Sequence, residues 1–308
     1  MDISPADSSD RRSGIVAVVG RANVGKSTLV NRILGEKISI VSPVAQTTRN
    51  VVRGVLTEPR GQIVFLDTPG VHRAKGELSR LINRAARASV EGVDVVLLLF
   101  DSSVPPREED EGWCRRLFRY PEAVHVLALN KCDLQRNHAE DYHQMWESVS
   151  REKGGNIQAH WVRISALTGE GVDELLELLF RLLPKGPLLF DEDVLTDYPR
   201  KLFIADIIRE KLFSRLREEL PHQVAVEVQD VVEDGEELHA EATIFVDKES
   251  QKPIVIGHKG RLLRAVRRAA EAELSGIFER RVTLSLWVKV SRHWQKNYWM
   301  LKRLGLVR

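Results

Sequence analysis

The sequence predicts an α/β domain, a mostly parallel sheet with helices on both faces, followed by a smaller α+β domain. Three observations predict it. Short apolar runs alternate with stretches of helical spacing as far as Leu183. The first of those runs ends directly in a glycine-rich turn, "GRANVGKST". Prolines and glycine then break the pattern, and a different one follows.

The apolar runs are "IVAVV" at Ile15, "IVFL" at Ile63, "VVLLLF" at Val95, "VHVLAL" at Val124 and "WVRI" at Trp161. Such near-continuous strands suit a sheet covered on both faces. Between them, "ELSRLINRAARASV" (Glu77 to Val90) and "VDELLELLFRLL" (Val172 to Leu183) carry helical spacing. "LPKGPLLFDEDVLTDYP", with three prolines and a glycine, reads as a linker. After it, Lys201 to Leu220 reads as an amphipathic helix, and Val224 to Val232 and Leu238 to Val246 alternate as strands around the turn "EDGEE". A helical tract runs from about Pro253 to Leu274 before a third strand, Val282 to Val290. The expected division is an unordered N-terminus over 1–12, a first domain over 13–184, a linker over 185–201 and a second domain over 202–308.

A chain of 308 residues with 43% hydrophobic residues can bury two cores. Two cysteines, Cys114 and Cys132, support neither a disulfide framework nor a zinc site. No apolar stretch is long enough to cross a bilayer, and "MDISPADSSD" has no leader pattern, so a cytoplasmic location is expected. Charge is unevenly spread. Residues 251–308 hold 14 Lys/Arg against 3 Asp/Glu, a local +11 in a chain whose total is +2, so residues 1–250 carry −9. A basic end of this kind suits a polyanion, either nucleic acid or an acidic membrane surface; a solvated helix face is the plainer alternative.

"GRANVGKST" fits G-x-x-x-x-G-K-[ST] with a strand before it and a helix after it. Its glycines let successive amides turn inward toward phosphate oxygens, at the positive end of the following helix. The expected phosphate set is Gly20, Arg21, Ala22, Asn23, Val24, Gly25, Lys26, Ser27 and Thr28, with Lys26 on the β and γ phosphates and the Ser27 hydroxyl on Mg²⁺. Further pieces follow later strands in order. In "DTPG", Asp67, Thr68, Pro69 and Gly70, the carboxylate is placed for the magnesium shell and the Gly70 amide for a γ-phosphate. "NKCD" supplies Asn130, Lys131 and Asp133, and "SAL" supplies Ser165, Ala166 and Leu167. Asp133, an acceptor-only carboxylate, matches the paired N–H donors of guanine and repels the N1 acceptor of adenine.

In these motifs the chain resembles P-loop GTPases of the translation-factor-related class, which implies GTP and GDP as ligands and Mg²⁺ as cofactor. "QTTRN", Gln46 to Asn50, stands where such proteins carry a switch segment whose threonine completes the magnesium shell. Thr47 or Thr48 could serve; Thr48 with Ser27 and Asp67 is the expected metal set, and Lys26, Thr47, Thr48 and Gly70 the catalytic set. Consecutive threonines before "RNVVRGVL" also suit the start of an edge strand. Where many small GTPases carry a water-orienting glutamine, Val71 stands, so slow hydrolysis is expected. Asn23 resembles the asparagine of potassium-activated GTPases, which makes K⁺ a candidate cofactor; an ordinary turn asparagine is the alternative.

In the basic domain, "VIGHKGRLLRAV" holds Gly257, His258, Lys259 and Gly260 between two helical pieces, followed by Arg261 and Arg264. In KH domains such a loop clamps the backbone of single-stranded nucleotides, because glycine lets RNA approach closely. The order helix, strand, strand, helix, helix, strand resembles the type II KH variant. A GTPase domain followed by that module resembles the Era family, over nearly the whole chain: "QTTRN", "VFLDTPGVH", "ISALTGEGVDEL", "IIREKL", "VIGHKG" and "LWVKV" all share its character. The resemblance implies binding to the 3′ end of 16S ribosomal RNA, a role in 30S subunit assembly and rRNA processing, and peripheral contact with the inner membrane. Two departures stand out. Ala22 replaces a usual proline, and "LTDYPRKLF" differs from the family's interdomain run. "WQKNYWMLKRLGL", Trp294 to Leu306, is expected as a terminal helix, its aromatics either stacking on bases or packed. Two other readings compete: an RNA chaperone with a structural nucleotide, and a membrane-surface GTPase.

Overall fold

A computed structural model of the chain describes residues 10–42, 47–71, 76–155, 157–217 and 220–307. Those residues form two compact units. The first holds most of the chain through Asp197; the second runs from Tyr198 and also takes in Ile40–Thr47 and Gly76–Leu81.

The first unit follows the order β1 (Arg12–Val19), α1 (Lys26–Leu34), β2 (Val52–Glu58), β3 (Gly61–Asp67), α2 (Glu77–Ala88), β4 (Val95–Asp101), α3 (Glu108–Leu117), β5 (Val124–Asn130), α4 (Ala139–Glu152), β6 (Ala159–Arg163) and α5 (Val172–Leu182). The sheet order is β2-β3-β1-β4-β5-β6, with β2 antiparallel to β3 and the remaining pairs parallel. Every residue of β4 is buried, as a central strand between two helical layers requires. Residues 1–9 of the expected unordered N-terminus lie outside the described residues, whereas Arg12 already opens β1 and bonds the Leu183 carbonyl at 2.6 Å. The edge strand begins at Val52, so the threonines at 47 and 48 stand before it rather than in it.

The stretch expected as a linker lies along this sheet's β2 edge. Gln62 is fully buried; its Oε1 accepts from the Leu189 and Phe190 amides, both at 2.8 Å, while its Nε2 donates to Thr57 Oγ1 and the Phe190 carbonyl. On β2, the Val55 amide donates to the Leu195 carbonyl at 2.8 Å, and the Arg53 carbonyl accepts from Thr196 Oγ1 at 2.5 Å.

The second unit runs α6 (Arg200–Phe213), a single turn α7 (Leu220–Gln223), β7 (Ala225–Asp234), β8 (Glu237–Val246), α8 (Lys252–Ile256), α9 (Arg261–Phe278), β9 (Arg281–Val290) and α10 (Tyr298–Arg303). β7 and β8 form a hairpin through Gly235 at φ 57°, and β9 pairs parallel to β8. α6 and α9 cover one sheet face, closing a core of Ile204, Ile208, Ala240, Ile244, Val266 and Leu284. Two elements differ from expectation. α6 stops at Phe213 and is buried around most of its circumference, because its polar residues Asp206 and Arg209 pair with each other at 2.8 Å inside the fold. The terminal helix is broken: a 3₁₀ turn at Trp294–Lys296 precedes α10, whose first turn is capped by Asn297 accepting from the Met300 amide.

His125 sits fully buried on β5, flanked by Val96 and Ala159. Burial pushes its pKa down, against a smaller opposing pull from the Tyr120 backbone. The folded protein therefore binds fewer protons here than the unfolded chain once pH falls below the ordinary imidazole value of about 6.5. This contribution to stability is present above that value and lost as pH falls, at up to about 1.4 kcal/mol per pH unit. Urea midpoints measured at pH 7.5 and 5.5 should drop on acidification, and the drop should be smaller in His125→Asn.

Candidate nucleotide and nucleic-acid sites

The first site lies at the carboxyl ends of β1, β3, β5 and β6, where open α/β sheets bind ligands. Leaving β1, the chain turns through Gly20 (φ 146°), Asn23 (φ 64°) and Gly25 (φ 101°) into α1. A Cβ on Gly20 would lie 2.6 Å from the Leu99 carbonyl, and one on Gly25 would strike the Asn130 side chain, so backbone shape and crowding both demand glycine here. Lys26 is buried. Its Nζ donates to the carbonyls of Gly20 (3.2 Å) and Arg21 (2.9 Å), and burial lowers its pKa to about 8 despite the nearby Asp67 carboxylate. Val24 is buried, while Ala22 and Thr28 are half-buried and Asn23 is exposed.

Asp67 closes β3 with no exposed surface. Its Oδ2 accepts from Ser27 Oγ at 2.6 Å, and Ser27 Oγ lies 3.1 Å from Thr48 Oγ1. Burial raises the Asp67 pKa, with Ser27, Lys26 and Ser39 pulling it back. Asp67 Oδ1 has no hydrogen-bond partner. A buried carboxylate oxygen left over beside two hydroxyls is a hard oxygen set that fits Mg²⁺, which takes few protein ligands and completes its shell with phosphate and water. The geometry also separates the two threonines. Thr48 brings its hydroxyl within 3.1 Å of Ser27 Oγ, whereas Thr47 is buried at 7% exposure. Asn31 on α1 fastens the chain leading there, its Oδ1 accepting from the Ile38 and Ser39 amides. Gln46, the first residue of the expected switch segment, and His72 lie outside the described residues.

Beyond Asp67, Thr68 Oγ1 donates to the Val18 carbonyl at 2.8 Å. Gly70 lies so close to the phosphate loop that a Cβ would be 2.5 Å from Ala22 Cα. Val71 pairs through its backbone with Gly20 and Ala22, each bond 3.3 Å, and its side chain is buried in the core. A valine side chain has no group with which to orient a water.

Asn130 at the end of β5 ties three loops together. Its Nδ2 donates to the Val24 carbonyl at 2.6 Å, and its Oδ1 accepts from the Ala166 amide at 2.8 Å. Lys131 takes a left-handed backbone, φ 67°, and its Nζ donates to Asp101. Asp133 and Leu167 are exposed, whereas Ser165 is buried with its Oγ accepting from the Thr168 amide. The structure thus gathers the motifs expected from sequence at one sheet edge. Sequence reasoning missed Asp101, which contacts Arg21 and Lys131, and Asp110, which contacts Arg21; a carboxylate at the carboxyl end of the central strand, within "FDSS", was the available signal for the first.

The second site lies between α8 and α9. Gly257 (φ 71°) ends α8, Lys259 (φ 50°) and Gly260 (φ 74°) shape the turn, and Arg261 starts α9. A Cβ on Gly257 would fall 2.7 Å from Leu262 Cβ, while one on Gly260 would meet only the end of the Arg264 side chain at 3.4 Å. Arg264 Nη2 donates to the Lys259 carbonyl at 2.8 Å, bracing the turn. His258, Lys259, Arg261 and Arg264 are exposed, and Ile254 is 55% exposed beside them, so cationic groups border an apolar surface. Polyanions with stackable bases match that pairing.

Comparison with known proteins gives a consistent picture. Residues 15–131 match the family described as "50S ribosome-binding GTPase", and residues 219–295 match "KH domain". GTPase Era of Geobacter metallireducens is 42% identical over 296 residues, covering 96% of this chain and 97% of the relative. GTPase Era of Geobacter sp. strain M21 is 41% identical over 295 residues, with 96% and 97% coverage. Among solved structures, a variant of Aquifex aeolicus Era bound to GDP and AlF4⁻ superposes with a TM-score of 0.88 at 36% identity, covering 96% of this chain and 100% of that one. Era in complex with MgGDPNP and nucleotides 1506–1542 of 16S ribosomal RNA gives 0.87 at 35% identity, with 97% and 100% coverage.

Replacing Asn130 by Ala leaves the Val24 carbonyl and the Ala166 amide without their buried partner, at about 1–3 kcal/mol each. Calorimetric titration of the Asn130→Ala protein with GDP should show affinity weakened by about 10- to 100-fold. An unchanged Kd would mean that the three loops hold their places without it.

Proposed function

The chain belongs to the Era family of GTPases, and on that premise we propose that it is a slow GTP-driven switch whose KH domain binds the 3′ end of 16S ribosomal RNA during small-subunit assembly and rRNA processing. The observation that carries this reading is the shared sheet edge at which the phosphate loop, the Ser27–Asp67–Thr48 oxygens and the Asn130-pinned base loop meet. The RNA part draws on the exposed Gly257–Gly260 turn with its basic border and on the 16S nucleotides held by the solved Era complex.

On this reading the amides from Gly20 to Gly25 and the α1 N-terminus hold the phosphates. Lys26 exchanges the Gly20 and Arg21 carbonyls for phosphate oxygens, and a lysine that is buried and hard to charge before binding gains a partner for its charge. Ser27, Thr48 and Asp67 are the residues that would hold Mg²⁺, which when bound supplies positive charge to the β and γ phosphates. Gly70, whose crowding against Ala22 excludes a side chain, is the residue whose amide would meet a γ-phosphate. Asp133 reads guanine by its paired N–H donors. Val71 contributes nothing to water placement, so turnover is slow until a partner engages. Asn23, exposed at the loop apex with φ 64°, is the residue that would place K⁺ beside the phosphates.

Among the described residues, no helix is long and apolar enough to cross a membrane. Peripheral contact with an inner membrane would rest on the C-terminal charge alone, and the tight glycine turn is better matched to RNA, since lipid headgroups do not require close backbone approach.

Two measurements test the proposal. Phosphate release from GTP should be slow and should rise when an oligonucleotide of the 16S 3′ end is added, with ATP hydrolysed at neither stage; no release in either condition would favour a structural nucleotide in an RNA chaperone. Turnover should be several-fold faster in potassium than in sodium buffer, and equal rates would remove the monovalent cation.

A further inference from the structure

Both loops that grip the nucleotide lead back to one buried carboxylate. Asp101, the last residue of β4, is 6% exposed. Its Oδ2 accepts from Lys131 Nζ at 2.6 Å and lies 3.6 Å from Arg21 Nη2, while its Oδ1 accepts from the Ser103 amide (3.2 Å) and hydroxyl (2.5 Å). The backbone around it is fastened as well. Asp101 pairs in register with Asn130, its carbonyl accepts from Tyr142 Oη at 3.1 Å, and Ser102 bonds the Asn130 carbonyl through both amide and hydroxyl. Arg21 is held independently by fully buried Asp110, Nε to Oδ2 at 3.1 Å, and the Arg21 carbonyl in turn receives Lys26 Nζ.

Lys131 needs an anchor. A left-handed backbone is strained for a non-glycine residue and persists only where its surroundings over-determine it. Its ammonium donates to Asp101, and two residues further on stands Asp133, whose carboxylate must meet the guanine edge. Burial by itself would push the Asp101 carboxyl up; the Lys131 and Ser103 bonds outweigh it and hold the group below the usual range, so it is ionised at neutral pH.

We propose that Asp101 is a positioning residue: by gripping Lys131 while facing Arg21, it sets the guanine-reading loop at a fixed distance from the phosphate loop. It touches neither base nor phosphate. Its effect on affinity and base choice runs through Lys131, which makes it separable from a residue that merely stabilises the fold. The inference rests on the nucleotide reading given above.

The test is a double-mutant cycle on the full chain, with Mg·GDP dissociation constants as the readout. Asp101→Asn and Lys131→Met should each weaken GDP by about tenfold, and the double variant should bind no more than about twofold worse than Lys131→Met alone. Asp101→Glu, which keeps the charge, should recover most of the loss. An Asp101→Asn protein within twofold of the parent, or a double variant whose loss is the product of the single losses, would overturn the assignment. Should Asp101→Asn fail to fold, Asp101→Glu enters the same cycle, with its smaller loss expected to vanish in the Lys131→Met background. A parent protein that binds ADP as tightly as GDP would instead sink the nucleotide reading itself, before any variant is compared.

Discussion

The amide of Asn130 is the constraint on which the nucleotide site depends. One side chain supplies a donor to the Val24 carbonyl and an acceptor for the Ala166 amide, so three loops that are distant in sequence become a single rigid rim. Around it, side chains are excluded by distance. Gly25 abuts Asn130 and Gly70 abuts Ala22, so the rim closes only because backbone meets backbone or amide there. Pre-organisation of this kind gives a ligand directional partners without the entropy cost of assembling them on arrival.

Charge at the same edge is buried at a cost. A lysine and a carboxylate, both buried, are each shifted toward neutrality by desolvation, and one oxygen of that carboxylate has no hydrogen-bond partner. Such a site gains most from a ligand that brings both signs of charge at once, as a magnesium nucleotide does. The Gly257–Gly260 turn in the second unit differs, with its cationic groups exposed, so any electrostatic attraction they exert is open to screening by salt.

Much of this architecture could be read in the chain. Apolar runs of near-continuous Val, Ile and Leu located the parallel strands, and the spacing of Gly20, Gly25 and Lys26 located the loop, because both signals are local. What stayed hidden was non-local. Arg21 and Asp110 stand 89 residues apart, and nothing in either neighbourhood announces the pair. The choice between Thr47 and Thr48 needed the fold, since adjacent side chains diverge and only packing decides which one reaches Ser27. α6 reads as amphipathic because it carries charge, yet Asp206 and Arg209 neutralise each other and leave a helix buried nearly all round. Asn297 broke the terminal helix by acting as a cap, a role that periodicity does not reveal.

The closing segment of the first unit, from Leu189 to Thr196, has a consequence for anyone who would dissect the protein. By lending its Leu195 carbonyl and Thr196 hydroxyl to β2, it blunts a flank that would otherwise offer more unmet donors and acceptors to passing chains. A fragment cut at the last helix of the first unit would expose that flank and tend to stick to its own copies. One cut after Asp197 would keep its guard.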